Sequence, residues 1–315
     1  MKAIIGHKRI LEYFAKVIAS GNLSHAYCLV GPDQVGKRTL AESISAELFN
    51  VESEKLGLQP DFLQIKQGVD EKTGKTKKDI SIEQLRQASS FFSSYAFLGG
   101  YKIAIINPAE RMSLAAANGL LKTLEEPRSN TLLFLITTDE KKLPQTIRSR
   151  CQTVFFSPVA QAEIEKALLG LEIESEKTEE LSRLSGGLPG KAISWADDAS
   201  EYEKYKKEII RFNELPFCPF YDKIKRVEDL FGDKKDHTKA RGKLIKTLAL
   251  WQLIIRDHIY STLERNESVF KSSTLSKIDL KTSVAIYKKI VEAKRDLRNN
   301  IHPRLLIEQI LLQIP

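Results

Sequence analysis

The sequence predicts an α/β protein: a parallel sheet with helices on both sides, followed by a small helical part and a larger all-α part. Three observations carry this. Short apolar runs alternate with helical stretches over residues 26–156. Those runs are continuously apolar rather than alternating, as strands buried on both faces must be. After Pro158 the strand pattern stops and helical spacing takes over.

Taken in order, residues 8–19 place Leu11, Phe14, Ala15 and Ile18 on one helical face. Ala26–Val30 is the first strand and ends at Gly31. Leu40, Ile44 and Leu48 follow at i, i+4 spacing, so a helix starts near Lys37. Phe62–Ile65 is a second strand. The polar stretch Gly68–Asp79 reads as a loop or hairpin. Ser81 followed by Gln84 fits a capping box that opens a helix through Phe92. Gly99-Gly100 breaks the chain before the buried strand Lys102–Ile106. Ser113 caps a helix that runs to Glu126 and is stopped by Pro127. Thr131–Thr137 and Gln152–Phe156 are two further strands. Residues 160–196 suggest three short helices, broken at Gly186-Gly187-Leu188-Pro189-Gly190. Long helical patterns such as Leu244–Leu263 and Val284–Leu297 dominate the rest.

Composition narrows the function classes. The 315 residues are 42% hydrophobic and 29% charged, which suffices for sizeable cores and two or three domains. No apolar run approaches the roughly 18–20 residues of a membrane span. Charges at Lys2, Lys8, Arg9 and Glu12 interrupt the first apolar stretch, so it does not read as a signal peptide. Cys28, Cys151 and Cys218 lie far apart. They suit a reduced, cytoplasmic protein and form neither a disulfide frame nor a metal cluster. The net charge is +8, and residues 201–315 carry all of it. A basic C-terminal third can attract nucleic acid or acidic partner proteins, or be a solvated helical surface.

Gly31-Pro32-Asp33-Gln34-Val35-Gly36-Lys37 matches the phosphate-loop pattern G-x-x-x-x-G-K between a strand and a helix. The glycines let backbone N–H groups converge, the helix N-terminus adds positive potential, and the lysine meets the phosphates. The next residue should supply a hydroxyl to Mg²⁺. Here it is Arg38, and Thr39 sits roughly 100° further round the helix. The strand Ile103–Ile106 should end in Asp-Glu, to hold metal and activate water. It ends in Asn107-Pro108, with Glu110 beyond. Two readings of the loop stay open: it still holds a nucleotide, with Arg38 replacing some metal charge, or it keeps the fold without the ligand.

Four stretches then form an ordered set: Ser24-His25-Ala26-Tyr27, Gly99–Ile106, Ala116–Pro127 and Leu143–Cys151. Together they resemble the clamp-loader branch of AAA+ proteins, strongly over residues 1–200. Gly186–Ala192 is similar to the turn of that family's lid, and Asn300–Leu305 to the start of its last helix. The resemblance implies an AAA+ RecA-like domain (1–158), a helical lid (159–199) and a helical collar for oligomerisation (200–315). It implies a non-hydrolysing subunit in a ring of five, beside ATPase subunits of gamma/tau type and a delta subunit, loading a sliding clamp at primed DNA. No cofactor would be required of this chain. Many relatives carry a four-cysteine zinc module after the first helix of the sheet domain. Leu48–Asp61 has no cysteine, so no zinc is expected there.

Ser149-Arg150-Cys151 resembles the family's Ser-Arg-Cys motif, which makes Arg150 an arginine finger directed at the γ-phosphate of a neighbouring subunit. A permanently charged planar guanidinium suits the charge that spreads over the γ-oxygens. The plainer alternative is a surface ion pair. Ser149 reads as a turn residue, Cys151 as a small core residue, Arg148 and Lys37 as weaker candidates, and Trp195 and Trp251 as packing. Competing functions are an active loader ATPase and a basic nucleic-acid-binding module.

Overall fold

The computed structural model describes residues 4–69, 77, 79–231, 237–264, 269–270, 274–298 and 301–315. Residues 70–76 and 78 of the polar stretch, and Asn300 of the last motif, lie outside the described residues. The chain divides into two compact units, Met1–Ser194 and Trp195–Pro315. The 159–199 segment expected as a separate lid therefore groups almost wholly with the sheet.

In the first unit, α1 (Lys8–Ala19) precedes β1 (Ala26–Val30) and α2 (Lys37–Phe49). Then come β2 (Phe62–Ile65), α3 (Ile82–Ser93), β3 (Lys102–Ile106), α4 (Leu114–Gly119) and α5 (Leu121–Glu125). β4 (Thr131–Thr137), α6 (Gln145–Arg148) and β5 (Gln152–Phe155) complete the sheet, and α7 (Gln161–Leu169), α8 (Ser175–Leu184) and α9 (Pro189–Asp197) follow. The order across the sheet is β2-β3-β4-β1-β5, and every pairing is parallel.

The apolar runs are continuous because both faces are covered. Ala26, Cys28, Ala104, Ile106, Leu133 and Leu135 meet Leu85, Ala116, Leu124 and Ile147 on one side. Tyr27, Leu29, Ile103, Ile105, Leu132 and Phe134 meet Phe14, Leu40 and Ile44 on the other. Successive strand residues thus enter opposite cores, as the period of two requires. The capping box is present: Ser81 Oγ accepts from Gln84 N, and Gln84 Oε1 accepts from Ser81 N. One expected helix is divided, since Leu120 separates α4 from α5. Ser89 Oγ, from α3, donates to the carbonyl of Gly119 at this break.

The second unit holds α10 (Ala199–Asn213), α11 (Phe220–Val227), α12 (His237–Glu264), α13 (Leu280–Arg298) and α14 (Pro303–Leu311). Trp251 on α12 is fully buried against Phe212, with ring centroids 5.2 Å apart, so it packs as expected. Its indole N–H donates to Glu208 Oε1 at 2.8 Å, and Arg211 pairs with Glu208 Oε2 at 2.9 Å. The buried Lys223 Nζ donates to the carbonyls of Ile314 and Pro315. Among the described residues no helix is long and apolar enough to cross a membrane.

Burial raises the Glu208 carboxyl above its ordinary value near 4.5, against the opposing pull of Arg211 and the Trp251 N–H. A carboxyl raised on folding favours the folded state below its unfolded pKa, and that contribution is lost as pH rises through the folded value. Wild-type stability of this unit should therefore decline as pH climbs from about 4.5 through that raised value. Glu208→Gln should flatten the decline. Urea unfolding followed by tryptophan emission across the window checks this; an unchanged pH slope in the variant would contradict it.

Candidate functional site

The C-terminal ends of the parallel strands gather the phosphate loop, Asn107 and Thr138 along one edge of the sheet. This is where open α/β sheets hold ligands. Gly31 follows β1 at φ 154°, and a Cβ there would lie 2.5 Å from the carbonyl oxygen of Phe156. Only glycine fits between the loop and the chain leaving β5. The loop is pinned from two further sides. His7 Nε2 lies 3.0 Å from the Val35 carbonyl, and Gly190 N donates to the Gln34 carbonyl at 2.8 Å. A Cβ on Gly190 would stand 2.8 Å from that same oxygen, so the start of α9 sits directly on the loop.

Lys37 is 4% exposed and turns back on its own loop. Its ammonium donates to the carbonyls of Gly31 at 2.5 Å and Pro32 at 2.6 Å. Burial lowers its pKa, while Asp33 and Glu110 pull the other way. Arg38 is exposed and directed along α2 to Glu42, Nε to Oε1 at 2.6 Å. Gln64 Nε2 also reaches that carboxylate oxygen, at 3.3 Å. Thr39 is half-buried on α2.

Asn107 N donates to the Ile65 carbonyl, and the Asn107-Pro108 peptide is cis. Beyond them Glu110 turns back to the end of β4. Its Oε1 accepts from Thr138 Oγ1 at 2.7 Å and from Thr138 N at 3.2 Å. Burial pushes the Glu110 carboxyl up, but these hydrogen bonds outweigh it and the net shift is downward. Glu110 Oε2 is buried and has no hydrogen-bond partner. Sequence spacing does not point to Thr138 as the group that holds Glu110, because the two meet only through the β3–β4 pairing.

Arg150 lies elsewhere. It sits between α6 and β5, at the opposite, N-terminal edge of the sheet. Its Nη1 donates to the Thr146 carbonyl at 2.8 Å and to Ser149 Oγ at 3.3 Å. Its Nη2 pairs with Glu125 Oε1 at 2.8 Å. Ser149 Oγ also donates to Thr146 O, so it belongs to the turn that fixes the arginine. Glu125 and Thr146 were not singled out by motif spacing. The ion pair could have been suspected only from knowing how α5 packs on α6. Cys151 packs against the core beside Cys28, and burial raises both thiols to about 12. Neither is a nucleophile at neutral pH. Arg148 is half-buried on α6 with a buried Nε that lacks a partner.

Between α2 and β2, Ser53–Leu58 forms a short 3-10 helix with Leu56 buried. Among the described residues no group of three or more His, Cys, Asp or Glu could hold a metal ion.

Comparison with known proteins places the chain among DNA polymerase III subunits. The profile of a family described as DNA polymerase III, delta subunit, matches residues 6–160. The chain is similar to DNA polymerase III subunit delta' of Pseudomonas aeruginosa, at 37% identity over 53% of this chain and 54% of that protein. It is similar to subunit delta' of Bacillus subtilis at 25% identity, over 97% of this chain and 95% of that one. Subunit gamma of Buchnera aphidicola matches at 32% identity over 48% of this chain and 43% of its own length. The match thus spans about half of the Pseudomonas relative and nearly all of the Bacillus one.

Lys37→Met should lower stability with no ligand present. It removes the ammonium that donates to two carbonyls of the loop, and a hydrogen bond to a charged group is worth about 1.5–3 kcal/mol. Chemical denaturation of the nucleotide-free chain checks it. A variant as stable as wild type would show that the lysine does not hold the loop.

Proposed function

This chain belongs to the clamp-loader subunits of DNA polymerase III, the family of delta-prime and gamma/tau, and from that premise we propose that it is a non-hydrolysing, delta-prime-like subunit. In this reading it occupies one place in a heteropentamer with gamma/tau-type ATPase subunits and a delta subunit. It lends Arg150 in trans to a neighbour's γ-phosphate during loading of a sliding clamp at primed DNA. The three-part division into AAA+ domain (1–158), lid (159–199) and collar (200–315) goes with this proposal.

The observation that carries it is the separation of Arg150 from its own phosphate loop. Tyr27 pairs with Gln152 in the parallel register, so Arg150 stands about level with His25. Gly31 is six residues further along β1, or about 20 Å at about 3.3 Å per residue. An arginine side chain does not span that distance. A guanidinium at this edge serves phosphates only if another subunit brings them.

The chain's own loop does not fit a hydrolytic Mg²⁺–ATP centre. No hydroxyl follows Lys37, and Arg38 is committed to Glu42. Asn107-Pro108 supplies no carboxylate. Glu110, the nearest acid, spends one oxygen on Thr138. Lys37 already has acceptors within the loop. No catalytic step is therefore assigned to this chain's own phosphate loop; Gly31, Gly36, Lys37, Arg38 and Thr39 serve there as structure.

Turnover by a reconstituted loader, with clamp and primed DNA, tests the reading. Arg150→Ala should reduce ATP hydrolysis tenfold or more with the ring intact, since such fingers supply roughly 10³–10⁵ in rate where they act fully. The isolated wild-type chain should show no turnover above background. Unchanged hydrolysis in the Arg150→Ala loader, or clear turnover by the isolated chain, would overturn it.

A further inference from the structure

Arg150 is held by more than its own turn. Its Nη1 donates twice, to the Thr146 carbonyl and to Ser149 Oγ, both within five residues in sequence. Its Nη2 lies 2.8 Å from Glu125 Oε1 on α5, an ion pair. The Arg150 side chain is 34% exposed and the Glu125 side chain 50%. Among the described residues, the hydrogen bonds of the guanidinium are the two from Nη1. One end of the planar fork is thus tied down by its own turn, the Nη2 end is paired with Glu125, and the Nε–H is left over.

Glu125 is itself placed by the sheet domain. It closes α5, directly after the buried Leu124, and Pro127 follows it, so the carboxylate cannot drift along a continuing helix. Its first-turn neighbour Lys122 shares the helix, but Lys122 is not among the partners of Arg150. As a contribution to stability a half-exposed pair of this kind is worth little. Its effect on geometry is larger. A long arginine side chain has much rotamer freedom, and a fork fixed beforehand loses less of it when its remaining donors bind.

We propose that Glu125 is the positioning residue for Arg150, fixing the guanidinium so that its uncommitted N–H groups face a γ-phosphate presented from outside the chain. This inference rests on the reading of Arg150 given under Proposed function. It adds a residue from a different helix to that motif. It also links the angle of the finger to the break between α4 and α5, since α5 carries the carboxylate.

The test compares Glu125→Ala, Glu125→Gln, Arg150→Ala and the Glu125→Ala/Arg150→Ala double variant in loaders matched for assembly. Glu125→Ala should lower kcat about tenfold, the scale expected from misplacing a reacting group by a fraction of an ångström. The KM for ATP should stay unchanged, because the finger does not form the neighbour's ground-state nucleotide pocket. Glu125→Gln keeps an acceptor oxygen and should recover most of the rate. The double variant should be no slower than Arg150→Ala alone. Full activity in Glu125→Ala, or increased activity, would overturn the inference while leaving the finger intact. So would a fall in rate equally deep in the Arg150→Ala background.

A second measurement does not depend on catalysis. In the isolated full-length chain, rotation of the Arg150 guanidinium, read by nitrogen-15 NMR, should be hindered in wild type and freed in Glu125→Ala. Equal rotation in both would overturn positioning by Glu125 whatever the loader does. Hindered rotation in wild type with no rate loss in Arg150→Ala would instead sink the finger itself.

Discussion

Everything in the first unit depends on the parallel pairing of β1 with both β4 and β5. A parallel sheet is stable only when both faces are covered, and here two apolar clusters cover them. Parallel direction also sorts the loops by chemistry. Every segment that leaves a strand lies at one edge, and every segment that enters a strand lies at the other. The phosphate loop, Asn107 and Thr138 leave strands β1, β3 and β4. Ser149, Arg150 and Cys151 enter β5. One chain thus carries a phosphate-loop pattern and an arginine turn that cannot meet each other. The register that buries Tyr27 and Cys28 is the same register that keeps them apart.

At the phosphate-loop edge the polar groups find partners within the chain. A buried ammonium without a partner is costly, and Lys37 avoids that cost by bridging Gly31 and Pro32. Glu110 does the same through Thr138 for one of its two oxygens. In an active phosphate loop, phosphate oxygens and a metal would satisfy such groups. Here neighbouring carbonyls and a threonine do, and α9 rests on the loop through Gly190. A loop closed in this way keeps its shape without a ligand. That suits a subunit whose contribution is a fixed surface rather than a cycle.

Much of this was readable before any coordinates. Strands β1–β4 were found at their ends because a double-sided core writes an uninterrupted apolar run, which local reading detects. β5 ends one residue earlier than expected, at Phe155 rather than Phe156. The α3 capping box was legible because its two partners sit only three residues apart. Arg38, Asn107 and Pro108 stood out because phosphate chemistry leaves little freedom at those positions. What stayed hidden joins residues distant in sequence. Thr138 and Glu110 are 28 residues apart, Gln34 and Gly190 more than 150. Glu125 and Arg150 belong to two motifs recognised separately, and nothing in either says that they touch. The break at Leu120 was missed for a related reason. Leucine has good helix propensity, but Asn118-Gly119 before it do not, and Ser89 on α3, distant in sequence, donates to the Gly119 carbonyl at the break.

The contact between Arg150 and Glu125 could be taken as the ordinary surface ion pair that a solvated arginine would make anyway. Position argues otherwise. A stabilising pair gains by being buried or by lying in a network, and this one is neither, with half of the carboxylate side chain exposed. Yet the arginine is not simply free, since three acceptors from two elements converge on it. Holding a long side chain still at a surface brings little stability and costs conformational entropy. The arrangement makes sense if the ordering cost is met before a partner arrives, so that the partner's phosphate meets a guanidinium already aligned. A half-buried arginine held at the sheet edge, remote from its own phosphate loop, is what the proposed trans finger requires: under that proposal it is one half of a site whose other half a neighbouring subunit supplies.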